Sequence, residues 1–192
     1  MRFVLVMALA LAAATIAQGQ PTSAYYGLAL GELDYSEEND FGNEVIADTA
    51  DSYRLMVGYQ FTENLAFEGG WGQVDDITDN VLANLGFPFG LVPAQVRYEI
   101  EILTVRFVGV LPFDNGITLL GGLGYADMKW DVTEDYEGLG QVSYDLDQGD
   151  LTYFAGVQYD WERVALRLGY EKYYMGGGVD IDEASLAFFY KL

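Results

Sequence analysis

Arg54, Glu68, Arg106, Arg167 and Glu171 each stand inside a run of alternating side chains, on the side of the run that carries the smaller and more polar residues. Cations and carboxylates held together away from water have three chemical uses: a paired network, a path for ions, or acid–base catalysis. A charge removed from water is tolerated only when it is paired, so pairing comes first. Catalysis is disfavoured by what is missing. The chain has no His and no Cys, which removes the usual general base and the thiol nucleophile. A carboxylate pair of the glycosidase kind would need two acids set apart by their spacing, and no two are. No segment has the Asp-x-Asp-x-Asp-Gly spacing of a calcium loop, so neither a metal nor a cofactor is expected. The five charges are expected to form a structural network that fills an interior, the alternative being the gate of a narrow pore.

The elements that must position these residues are strands. In 53–61, Tyr53, Leu55, Val57, Tyr59 and Phe61 share one face, with Arg54, Met56, Gly58 and Gln60 on the other. In 65–72, Leu65, Phe67 and Trp71 oppose Ala66, Glu68, Gly70 and Gly72. Only 62–64 separates the two runs. Pairing about that turn sets Phe61 against Leu65, Tyr59 against Phe67 and Leu55 against Trp71, so the apolar faces coincide. The same hairpin recurs around 112–116 and around 162–163. Terminal runs at 25–35 and 183–192 bring the count to eight. Between hairpins the sequence predicts four long loops, at about 36–52, 76–98, 131–149 and 175–182.

From Tyr53 onward the apolar faces contain no Asp, Glu, Lys or Arg, whereas the opposite faces hold the five charges above together with Asp160 and Lys191. A soluble barrel has its apolar side inside. An eight-stranded ring leaves an interior only wide enough for side chains, which suits glycines and paired charges better than rings of Phe, Tyr and Leu. The apolar face therefore points at lipid, where an unpaired sheet edge would cost several kcal/mol per polar group, so the first strand must close on the eighth. The fold class predicted is all-β, an eight-stranded antiparallel up-and-down transmembrane β-barrel. Tyr26, Phe61, Trp161 and Tyr190 near one end, and Tyr53, Trp71, Tyr125, Tyr153 and Tyr170 near the other, are placed as interfacial girdles. Glu32 and Asp34 fit the first strand poorly unless they sit above the apolar band or a bulge near Gly31 resets the parity.

Composition agrees with two separated phases: 51% hydrophobic and 15% aromatic residues coexist with a net charge of -21. Residues 1–19, with Arg2 before an apolar run and small residues at Ala17 and Gly19, have the layout of a secretory signal cleaved near one of those two, leaving 24–192 as the barrel domain. Without Cys, an exported protein takes no stability from disulfides.

The runs YYGLALGELDY at 25–35, NLAFEGGWGQ at 64–73, ITLLGGLGY at 117–125 and LAFFYKL at 186–192 resemble the small eight-stranded outer-membrane barrels of Gram-negative bacteria, the porin-family group that includes OmpA transmembrane domains, OmpX and related surface antigens. The resemblance implies an outer-membrane location, contacts with lipid and lipopolysaccharide, and charge clusters that plug the lumen. It also implies delivery by the outer-membrane assembly machinery, which reads the last strand. That strand ends on Leu192 where the family usually has Phe. Short turns and both termini are expected on the periplasmic side and long loops outside.

Loop one carries Glu37, Glu38, Asp40, Glu44, Asp48 and Asp51 and no cation, and loop three is similarly acidic, a field that repels nucleic acid. Loop two is different. Its nearly uncharged 81–93 stretch, with Leu85, Phe87, Phe89 and Leu91, is either a lid on the barrel or a contact site for an unknown surface ligand. Three readings result: a non-enzymatic structural and surface protein, a narrow or gated channel for small solutes or hydrophobic molecules as in OmpW-like barrels, and an adhesin or receptor using 81–93.

Overall fold

Side chains that change polarity at every second position need a sheet with two unlike faces, and a closed sheet supplies them without leaving an edge. A computed structural model, which describes residues 23–38, 44–84, 90–174 and 179–192, has that form. Its strands are β1 (Ser23–Glu38), β2 (Glu44–Thr62), β3 (Leu65–Asn84), β4 (Leu91–Pro112), β5 (Ile117–Tyr136), β6 (Gly140–Trp161), β7 (Val164–Tyr174) and β8 (Val179–Lys191). Each pairs antiparallel with the next, and β1 closes on β8 with Tyr26 opposite Tyr190 and Leu30 opposite Leu186. The segment assigned as a secretory signal lies outside the described residues.

The barrel has a short-turn end, where Ser23 and Leu192 lie, and a long-hairpin end. At the short-turn end, Tyr59 faces Phe67 and Leu55 faces Trp71 as expected, but Phe61 does not pair with Leu65. A register shift between Gln60 and Thr62 sets Thr62 against Leu65, so Phe61 is the extra residue of a bulge. The turn between β6 and β7 places Glu162 at φ 50, a conformation unusual for a residue with a side chain.

At the other end the structure corrects the four long loops. Most of 36–52, 76–98 and 131–149, and half of 175–182, is strand, which leaves 39–43, 85–90, 137–139 and 175–178 between the strands. The cause is an inversion of polarity along unbroken strands. Below, Leu103, Val105 and Phe107 of β4 face out and Thr104 and Arg106 face in; above, Glu99 and Glu101 face out while Ile100 and Ile102 are buried inside. Asp127, Lys129 and Asp131 on β5 likewise cover buried Met128, Trp130 and Val132. A charge at every second position is a solvated sheet face here, although it has the composition of a loop. On β1, pairing with β2 runs unshifted from Ser23 to Glu37, so Gly31 carries no bulge. Glu32 and Asp34 simply face outward beyond the apolar band, with Leu33 and Tyr35 buried between and after them.

One bulge does reset parity. A register shift between Val74 and Ile77 inserts the exposed Asp75–Asp76 pair and keeps both apolar neighbours inside. Leu33, Tyr35, Ile77, Ile100, Met128, Trp130, Tyr173 and Ile181 thereby join one apolar core inside the long-hairpin end. Two smaller apolar clusters, around Phe189 and around Phe154, line the interior nearer the turns. Between them lies the charged layer.

A charged layer across the lumen

Five inward positions on four strands bring the predicted charges together. Glu68 of β3 accepts from Arg106 of β4 at 2.7 Å and from Arg167 of β7 at 2.8 Å. Glu171 of β7 accepts from Arg54 of β2 at 2.5 Å and from Arg106 at 2.8 Å, so Arg106 bridges both carboxylates. All five are buried. The network predicted from parity is therefore a single connected cluster that spans the barrel.

Three members were missing from the sequence reading. Glu183 of β8, 2% exposed, pairs with Arg54 and accepts from Ser52 at 2.9 Å and from the Tyr173 hydroxyl at 2.6 Å. It stands two residues before Ser185, in the inward phase of β8, but next to a stretch read as loop. With Glu183 counted, three arginines (54, 106 and 167) meet three glutamates (68, 171 and 183), and the layer is electrically balanced. Tyr25 donates to Glu68 at 2.6 Å and Tyr173 donates to Glu183. Tyr25 stands in the inward phase of β1, one residue before Tyr26, and the glycine opposite it leaves the room for its phenol ring.

Satisfaction is complete. Thr152 donates to Glu171 at 2.8 Å and Gln158 accepts from Arg167 Nε at 3.0 Å. Among the described residues no buried side-chain nitrogen or oxygen lacks a partner, the condition under which a buried polar network rigidifies an interior. The guanidinium of Arg106 also lies 3.8 Å from the centre of the Phe154 ring, and that of Arg167 lies 4.3 Å from the Phe189 ring. These rings hold the cations where carboxylates do not reach. Nearer the turns, Asp160 accepts from Lys191 at 2.5 Å, from Gln158 at 2.8 Å and from Thr118 at 3.0 Å. A cavity of about 20 Å³ remains between this rim and Glu68, room for about one water.

Glycines make the space. Gly58 faces Tyr25 on one side and Glu68 on the other, and a Cβ placed there would lie 2.2 Å from the Tyr25 ring. Gly58→Ala is expected to push that ring off Glu68 and destabilise the barrel by about 1–3 kcal/mol; the urea midpoint of unfolding checks this. Gly70 and Gly72 leave room in the same way for the stem of Arg54.

The other predicted positions divide. Tyr26, Trp161, Tyr53, Tyr125, Tyr153 and Tyr170 are exposed on the outer face, and Phe61, Trp71 and Tyr190 are half-buried there. Leu85, Phe87 and Phe89 lie outside the described residues, and Leu91 opens β4 opposite Asn84. On the outer face of the long-hairpin end, Lys129 donates to Asp131 at 2.8 Å, which raises the ammonium pKa and lowers that of the carboxyl. Among the described residues no three carboxylates converge to hold a metal ion.

Comparison with known proteins places this architecture. The model of the outer membrane protein beta-barrel domain matches residues 3–191. A search of curated proteins finds no match. Among solved structures, the chain is similar to Neisserial surface protein A at 16% identity and a TM-score of 0.65, covering 90% of this chain and 100% of that one. It is similar to Ail, the attachment invasion locus protein of Yersinia pestis, in complex with the heparin analogue sucrose octasulfate, at 16% identity and a TM-score of 0.58, covering 88% and 99%. It is also similar to the outer membrane protein OprG of Pseudomonas aeruginosa, at 13% identity and a TM-score of 0.54, covering 91% and 98%. At these identities the structures speak for the fold, and the family match extends over almost the whole sequence. A closed eight-stranded ring with lipid-compatible side chains outside and balanced charges inside is thus a member of the outer membrane protein beta-barrel domain family.

Proposed function

We propose that the protein is a non-enzymatic, non-conducting barrel of the bacterial outer membrane that presents its long-hairpin end to the exterior. The observation that carries the reading is the lumen: a balanced layer of six buried charges lies between apolar clusters, and the one cavity described beside it is about 20 Å³. Ions crossing it would have to displace arginines that are already paired. The short-turn end, with Ser23 and Leu192, faces the periplasm in this reading, and the solvated hairpins face outward. Leu186, Phe188 and Tyr190 on the outer face of β8 supply the phase that the assembly machinery reads. The tyrosines and tryptophans of the outer face lie against lipid and lipopolysaccharide headgroups. The absence of His and Cys supports a role without catalysis.

Conductance tests the plug. The purified protein in planar bilayers is expected to pass no steady current, and Arg106→Ala, which removes the bridge between Glu68 and Glu171, is expected to leak. Steady openings in the unmodified protein, altered by Arg106→Ala, would establish a gated channel instead. One observation favours that second reading: the cavity lies directly against Glu68 and Arg167, so a rotamer change there would enlarge an existing void.

A further inference from the structure

The sheet does not end evenly at its long-hairpin end. β7 accompanies β6 only from Trp161 to Thr152, where Thr152 faces Tyr173, whereas β5 accompanies β6 all the way to Gly140. Among the described residues, Gly140–Asp147 thus has a strand on one side and none on the other. It is an edge of eight residues, all exposed. Proteins usually blunt such an edge with lysine, proline or a bulge. This one has no lysine and no proline, and its pairing with β5 shows no register shift.

Its two faces are unlike. Val142, Tyr144 and Leu146 point to the interior side, yet they are 52%, 41% and 52% exposed because, among the described residues, no strand beside them completes the layer over buried Val132 and Trp130. Asp145 and Asp147 point outward, and Asp145 stands directly opposite Asp131 of β5. Like charges in that position repel. The cation nearest them is Lys129, which stands directly opposite Asp147 and also holds Asp131 at 2.8 Å, so one ammonium is shared among three carboxylates, while Arg97 is held by Asp76 and Glu99. Unshared backbone, uncovered apolar side chains and carboxylates in excess of their cations thus coincide on one strand.

We propose that Gly140–Asp147 is a docking edge for an extended segment of another protein whose residues alternate basic and apolar. Such a segment adds a ninth strand to this end of the sheet. Its backbone takes up the free hydrogen-bonding groups, its apolar side chains cover Val142, Tyr144 and Leu146, and its basic ones meet Asp145 and Asp147. A second copy of this chain is a poor occupant, because its own edge would bring the same carboxylates. The inference goes beyond the surface role proposed above and holds whether or not the lumen conducts.

The test uses a fluorescent 11-residue peptide alternating lysine and valine, titrated against the folded barrel in zwitterionic detergent and read by anisotropy. Saturable binding is expected, weakened about tenfold or more when glutamate replaces lysine. Two further peptides carry N-methyl groups on all lysines or on all valines. Since only one set of amides in an added strand faces β6, one of the pair should fail and the other bind. Amide-exchange protection on binding should be confined to about residues 140–151. The double variant Asp145→Asn/Asp147→Asn should bind about fivefold or more weakly while keeping its heat-modifiable gel mobility, since it removes a repulsion. Equal binding of both N-methylated peptides would reduce the interaction to charge alone and overturn the proposal. So would an absence of saturable binding, or a dimer that excludes the peptide and thereby puts a second copy on the edge.

Discussion

Glu68→Ala is expected to cost about 3–5 kcal/mol of folding stability, because it leaves Arg106 and Arg167 buried without their shared carboxylate. The penalty comes from the residues that remain. Glu68 also accepts the Tyr25 hydroxyl, so a third group is left unsatisfied. Urea unfolding followed by the gel shift between folded and unfolded barrel measures it. Adding Arg167→Ala should recover part of the loss, since the double change removes one charge of each sign, and a coupling of at least about 1 kcal/mol between the two sites is expected. A single variant within about 1 kcal/mol of the unmodified protein would mean that water reaches the layer, and with it the plugged lumen would be lost.

The second large effect lies on the opposite face. Leu123 of β5 is 63% exposed, in the apolar band. Leu123→Arg is expected to destabilise the barrel by about 2–4 kcal/mol in a bilayer, the depth-dependent cost of a cation on the lipid face. Leu146→Arg, at a leucine 52% exposed on the β6 extension, should change stability by no more than about 0.5 kcal/mol. The comparison is informative because both leucines are more than half exposed, Leu123 on the outer face within the apolar band and Leu146 on the sheet extension beyond it. Equal effects would deny the band its lipid.

The two outcomes reflect how differently the layers of this molecule are written in sequence. Strand existence, pairing and closure were legible because Leu55, Trp71, Leu103 and Leu123 keep a strict two-residue phase, and a one-residue slip would turn each of them inward. Arg54, Glu68, Arg106, Arg167 and Glu171 were legible by the same phase. Glu183 was not, although it shares that phase, because Asp180 and Asp182 beside it give the segment the composition of a loop. The same confusion shortened β3, β4, β5 and β6: once a strand leaves lipid, its outer face takes charge and its inner face takes Ile, Met and Trp. Neither the bulge at Asp75–Asp76 nor the one at Phe61 could be read, since each depends on which partner residue the neighbouring strand offers.

The inversion of polarity along single strands gives the barrel a waterline. Raising or lowering it by two residues, about 6–7 Å along a strand, would draw Glu32, Asp34, Glu99 and Glu101 into hydrocarbon in one direction or lift Leu30, Leu103 and Tyr125 into solvent in the other. Both displacements are opposed on several strands at once. The draught of this molecule in its bilayer is therefore written into eight short transitions of side-chain type, one on each strand.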